Sequence, residues 1–132
     1  MRTDKLLYGA AYYDEYMPYD RIETDFQMMK AAGMNVIRIA ESTWSTWEPQ
    51  DGQFDFTHLT HMLDCATKYG LDVIVGTPTY AIPSWLANKA DDMLALTHDG
   101  PSIYGHRQNM DITNPIYLEH AKILIEKLME VV

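Results

Sequence analysis

Val36-Ile37-Arg38-Ile39-Ala40 is the stretch on which the reading of the fold turns. It is a short, continuous apolar run rich in β-branched residues, the pattern of a strand buried on both faces and broken here by one arginine. What precedes it is helical. Ile22, Phe26, Met29 and Ala32 recur at three- and four-residue spacing, with Arg21, Glu23, Asp25 and Lys30 off the stripe, and Gly33 stands where a helix stops. Upstream again, Leu6-Leu7-Tyr8-Gly9-Ala10-Ala11-Tyr12-Tyr13 reads as a first buried strand.

The alternation continues downstream. A loop rich in aromatic and polar residues runs from Glu41 to Phe56, and Leu59, Met62, Leu63, Ala66 and Tyr69 then form a second helical stripe. Asp55 or Thr57 can cap that helix and Gly70 ends it. Asp72-Val73-Ile74-Val75-Gly76 predicts a third strand, Pro83 to Lys89 a short helix, and a long polar loop leads to Asn114-Pro115. Asn114 as cap and Pro115 at the first helical position open a last helix with Ala121, Leu124, Ile125, Leu128 and Val132 on its inner face.

Three strand-to-helix units in succession predict a parallel α/β architecture, either a (β/α) barrel or a doubly wound sheet. The turn after the first strand, Tyr12-Tyr13-Asp14-Glu15-Tyr16, holds no glycine-rich phosphate cradle, which removes the usual nucleotide-binding logic of the doubly wound sheet. Instead each strand-to-helix loop carries aromatics: Tyr12, Tyr13 and Tyr16; Trp44 and Trp47; Tyr80 and Trp85. In a barrel those loops share the face that carries active sites. Aromatic planes alternating with carboxylates and arginine suit sugar rings, which present apolar C–H faces and a fringe of hydroxyls.

With 10 Lys+Arg against 19 Asp+Glu the 132-residue chain carries a formal charge of −9, which repels phosphate backbones and anionic lipid surfaces. Nucleic acid and membrane are therefore excluded as expected partners. The charged start, Met1 to Lys5, leads into an apolar stretch too brief for a secretory or membrane segment, and a cytoplasmic protein is the simplest expectation. Cys65 is the single cysteine, so no internal disulfide is available. His58, His61 and Cys65 lie at helical spacing but flank the apolar stripe, and read as three scattered surface side chains. A barrel of this kind needs ~250 residues, and the chain stops inside a periodic helix, so residues 1–132 are expected to be one piece of a larger domain.

Four segments in order and spacing resemble glycoside hydrolase family 42: YGAAYYDEYMP (8–18), MMKAAGMNVIRIAESTWSTWEPQDGQFDF (28–56), LDVIVGTPTYAIPSWLA (71–87) and GHRQNMDITNP (105–115). The resemblance implies that residues 1–132 are the N-terminal portion of a catalytic TIM (β/α)8 barrel, holding its first three βα units. It implies β-galactosidase activity, retaining hydrolysis of terminal β-D-galactosyl residues from a galactoside or galacto-oligosaccharide, by an enzyme that is a homo-oligomer at full length. Another retaining glycosidase, such as an α-L-arabinopyranosidase, or a non-catalytic sugar-binding fragment stays open beside it. No cofactor is implied.

The family uses two glutamates, an acid/base in an Asn-Glu pair after the fourth strand and a nucleophile far downstream. No Asn-Glu dipeptide occurs here, so no catalytic residue is assigned. By resemblance Arg107 reaches the galactose beside the bond cleaved, where a guanidinium offers a fixed fork of donors to sugar oxygens. Gly33-Met34-Asn35-Val36-Ile37-Arg38-Ile39 resembles the second strand of the wider glycosidase clan, which implies that Arg38 sits beside the nucleophile and favours its ionised form; a structural ion pair is the competing reading. Glu41 lies at the C-terminal end of the second strand, where polar residues of barrels tend to be functional, or else serves as Arg38's partner or a loop anchor. Some family members hold zinc through a cysteine where this chain has Asp111, so no metal is expected.

Overall fold

The computed structural model of the chain describes residues 5–17, 21–105 and 109–132. They fall into two compact units, Met1–Glu41 with Thr57–Gly76, and Ser42–Phe56 with Thr77–Val132.

The first unit is a three-stranded parallel sheet with helices between its strands. Strands β1 (Gly9–Ala11), β2 (Val36–Ile39) and β3 (Asp72–Val75) lie in that order. Gly9 pairs with Val36 and Val36 with Asp72, so the three strands end along one edge. Helix α1 (Ile22–Ala31) connects β1 to β2 and α3 (Thr57–Tyr69) precedes β3, and the two helices pack on each other. Burial follows the expected stripe in α3, where Leu59, Met62 and Ala66 are sealed and Cys65 joins them. In α1 the stripe is shorter: Ile22 and Phe26 are buried, Ala32 is exposed, and Asp25 is buried instead, its carboxylate accepting from the Tyr12 hydroxyl and pairing with Arg21. Gly33 and Gly70 do end the helices, at φ +80 and +64, a left-handed turn that costs glycine nothing.

The first strand departs from expectation. Only Gly9–Ala11 pair as a strand, all three exposed, and Leu6 and Tyr8 are exposed as well. A continuous apolar run is buried on both faces only where neighbours cover it. Among the described residues β1 has β2 alone as a strand partner.

The second unit is built on loops. Helix α2 (Trp44–Trp47) opens it inside the stretch expected to be loop, followed by a Gln50–Gln53 bridge around a tight turn. Helix α4 (Ser84–Ala87) stands where Pro83 to Lys89 predicted a short helix. A small hairpin, β4 (Leu96–Thr97) with β5 (Gly100–Pro101), interrupts the expected polar loop. Helix α5 (Pro115–Met129) begins as its sequence predicts, with the Asn114 side chain accepting from the Ile116 and Tyr117 amides at 2.9 and 3.3 Å. Its buried stripe is Tyr117, Ala121, Leu124 and Leu128. Ile125 and Val132, expected on that face, are exposed: Tyr117 takes the inward position a turn earlier, and Val132 lies past the last helical residue. Among the described residues no helix is long and apolar enough to cross a membrane.

Candidate functional site

Parallel strands bring their C-terminal ends to one edge of a sheet, and the first unit gathers its polar side chains there. Ile39 is buried at the end of β2, and Ala40 follows it at φ +77, in the left-handed region that an L-residue adopts at a cost of order 1 kcal/mol. This turn carries Glu41 back over the strand end. The Glu41 Oε1 atom pairs with Arg38 Nη2, and Oε2 accepts a hydrogen bond from the Tyr13 hydroxyl at 2.6 Å. At the end of β3, Gly76 leaves room for this. A Cβ there would lie 2.8 Å from Glu41 Cγ and 3.2 Å from the Ile39 carbonyl oxygen. Residues from the ends of all three strands thus meet around one carboxylate.

Arg38 and Glu41 are therefore brought together, and the alternative reading of Glu41 as the partner of Arg38 describes the geometry. Arg38 keeps 54% of its side chain exposed while Glu41 keeps 17%. Tyr13 was named in the sequence only as a loop aromatic. Its partner could not be read there, since a separation of 28 residues has no local signature.

Behind Tyr13 the Asp14–Tyr16 turn is pinned to α3 by an ion pair between Asp14, which is buried, and His58 Nε2. The hydrogen bond that His58 donates to the Asp14 carboxylate holds its imidazole above the usual histidine range, against the opposing effect of burial. A raised folded value means stability that is complete below the ordinary value of about 6.5 and lost as pH rises through the folded one. Urea midpoints should therefore fall between pH 6 and pH 9, and fall less in His58→Gln. Equal pH dependence in the two proteins would contradict this pairing. The expectation of three scattered surface side chains is corrected here: Cys65 is buried, with Sγ 3.8 Å from both Glu23 Oε1 and His61 Nε2, and burial together with Glu23 pushes its thiol up. An unactivated thiol suits packing rather than metal ligation.

In the second unit the polar centre is Glu48, 1% exposed. Its Oε2 accepts from Trp44 Nε1 at 2.8 Å, its Oε1 from the Gly52 amide at 2.9 Å, and its carbonyl from Trp85 Nε1 at 2.8 Å. Trp44 and Trp85 thus pack the loops around a buried carboxylate. Glu48, Asp51 and His120 bring one ligand atom each within 4.8 Å of one another. Lys89 Nζ already sits 2.6 Å from Asp51 Oδ2, and both Glu48 oxygens accept from Trp44 and Gly52, so the two carboxylates are already engaged by the chain's own donors. Asp111 is likewise engaged, its Oδ1 accepting from the amide and hydroxyl of Thr113 at 2.8 and 2.7 Å, contacts that hold its carboxyl below the usual range.

The same unit has a concavity of about 160 Å³ lined by Ser42, Ser45, Ala81, Ile82, Tyr104, Gly105 and Asn109. Its rim is tied by Ser42 Oγ to Tyr80 Oη at 2.5 Å and by the buried Asn109 side chain donating to the Ile103 carbonyl at 2.9 Å. Arg107 lies outside the described residues.

The family model described as β-galactosidase, glycoside hydrolase family 42, matches residues 11–131. The chain belongs to this family. A β-galactosidase of Thermus thermophilus is 31% identical over 123 residues, covering 92% of this chain and 19% of that protein. For BglY of Alicyclobacillus acidocaldarius the identity is 35% over 127 residues, 94% of this chain and 18% of the relative. Among solved structures, the β-galactosidase of the haloarchaeon Halorubrum lacusprofundi superposes with a TM-score of 0.88 at 28% identity, covering 95% of this chain and 19% of that one. The family 42 chain described here thus spans about a fifth of the relatives it matches, and Arg38, Glu41, Tyr13 and Arg107 all lie within the matched residues.

Proposed function

We propose that this chain forms the first three βα units of a family 42 TIM barrel and supplies substrate-side residues to a retaining β-galactosidase. What supports the reading is the family match across residues 11–131 together with the convergence of Tyr13, Arg38 and Glu41 at the C-terminal strand edge, the edge on which barrels carry their active sites. Arg107 binds the galactosyl hydroxyls, and Arg38 favours the ionised nucleophile, with Glu41 beside it.

Retaining hydrolysis needs two carboxyl groups ~5–5.5 Å apart, one attacking the anomeric carbon and one protonating the leaving oxygen. Both glutamates that play these parts come from outside residues 1–132 in this reading, so these residues contribute binding and electrostatics. The substrate is a galactoside or galacto-oligosaccharide, no cofactor takes part, and the intact enzyme is a cytoplasmic homo-oligomer.

The test is the hydrolysis of a nitrophenyl β-D-galactoside by the intact enzyme, with the anomer followed by NMR. The β-anomer of galactose should form first. First appearance of the α-anomer, or preference for a nitrophenyl α-L-arabinopyranoside, would contradict the assignment.

A further inference from the structure

We propose that Tyr13 is a positioning residue of this site, acting through Glu41 on Arg38; the proposal rests on the reading of the strand edge as the substrate side. The backbone makes the arrangement specific. Pairing between β1 and β2 runs on to the Tyr12 amide, which donates to the Arg38 carbonyl at 2.8 Å, so Tyr12 and Tyr13 leave the strand on opposite sides. Tyr12 goes to α1, its hydroxyl 2.9 Å from Asp25 Oδ2 and its ring 5.6 Å from Phe26. Tyr13 goes to Glu41.

The Glu41 carboxylate then has one donor on each oxygen, cationic on Oε1 and neutral on Oε2. A carboxylate held at one oxygen rotates about its terminal torsion, which is a broad, shallow well. Held at both, with Ala40 turned back and no Cβ at Gly76 to displace it, it is fixed. Only one of the five guanidinium donors of Arg38 is used by Glu41, and the group is more than half exposed. Glu41 therefore sets the plane of the guanidinium and Tyr13 sets Glu41, leaving the remaining donors in a fixed plane for a carboxylate or a sugar oxygen. A neutral phenol does this without competing for the charge that Arg38 needs.

Tyr13→Phe removes the hydroxyl and keeps the ring that packs 6.2 Å from Tyr16. In the intact enzyme, kcat/KM on the nitrophenyl β-D-galactoside should fall about tenfold, mainly through kcat, the loss expected for one hydrogen bond to a charged group. In a Glu41→Ala background the same change should matter less than about twofold, because residues that act through one another are not additive. Wild-type kinetics in Tyr13→Phe, or losses that multiply in the double variant, would overturn the proposal. A crystal structure of Tyr13→Phe supplies an arm independent of substrate: the Glu41 carboxylate should be turned about its terminal torsion and the plane of the Arg38 guanidinium should turn with it, and an unmoved pair would overturn the positioning role. An intact wild-type enzyme inert towards galactosides would instead overturn the functional reading and leave the crystal arm to decide this one.

Discussion

Glu48→Ala should lower stability by about 3 kcal/mol or more, because it strips the acceptor from two donors, each worth about 1–3 kcal/mol when left buried and unsatisfied. Those donors are the Trp44 indole and the Gly52 amide, both in charge-assisted contact with a carboxylate that solvent barely reaches. Truncation also leaves space beside Trp44 and Trp47, neither of which is exposed. All three tryptophans of the chain, Trp44, Trp47 and Trp85, lie in the unit built around Glu48, so tryptophan fluorescence during guanidinium unfolding of the 132-residue chain reads the loss directly. Glu48→Gln should fall in between, since its oxygen serves one donor while its amide nitrogen confronts the other. An unfolding free energy within about 0.5 kcal/mol of wild type, the range of an ordinary surface substitution, would mean that these hydrogen bonds do not hold the loop.

Arg107→Ala in the intact enzyme should lower kcat/KM by roughly one to two orders of magnitude while leaving the melting temperature nearly unchanged. Removing a charged donor from a sugar hydroxyl costs about 1.5–3 kcal/mol, and every 1.4 kcal/mol is tenfold. If the contact strengthens as the ring flattens towards the oxocarbenium-like transition state, kcat falls with kcat/KM. Lysine restores only part, since a point charge does not reproduce the planar fork. Wild-type kinetics in Arg107→Ala, or activity lost only through unfolding, would make this arginine a structural loop residue.

The helices and parallel strands of the chain were legible because their signals are local. Leu59, Met62 and Ala66 repeat at helical spacing, Asn114-Pro115 is a cap written into two adjacent residues, and Gly70 marks a left-handed stop. Burial was legible only where the cover lies nearby in sequence. The aromatic run around Gly9 carries the signature of a two-sided buried strand, yet Leu6 and Tyr8 are exposed, because cover must come from elements that the run itself does not encode. Helix α2 was missed for a related reason. Its four residues are too few for periodicity, and the burial of the glutamate that follows it shows only through its indole and amide partners. Around the strand edge, the pairing of Glu41 with Arg38 is legible because three residues separate them, whereas the contacts of Tyr13 with Glu41 and of Asp14 with His58 become visible only once separations of 28 and 44 residues have been closed by the fold.

In the proposed function this chain contributes binding residues to a galactosidase whose two glutamates lie elsewhere. Initial rates on a nitrophenyl β-D-galactoside, measured side by side for the intact enzyme and for the purified 132-residue chain, test it most directly. Turnover by the intact enzyme and none by the chain is the expected result; turnover by the chain alone, abolished by substituting one of its own carboxylates, would contradict it.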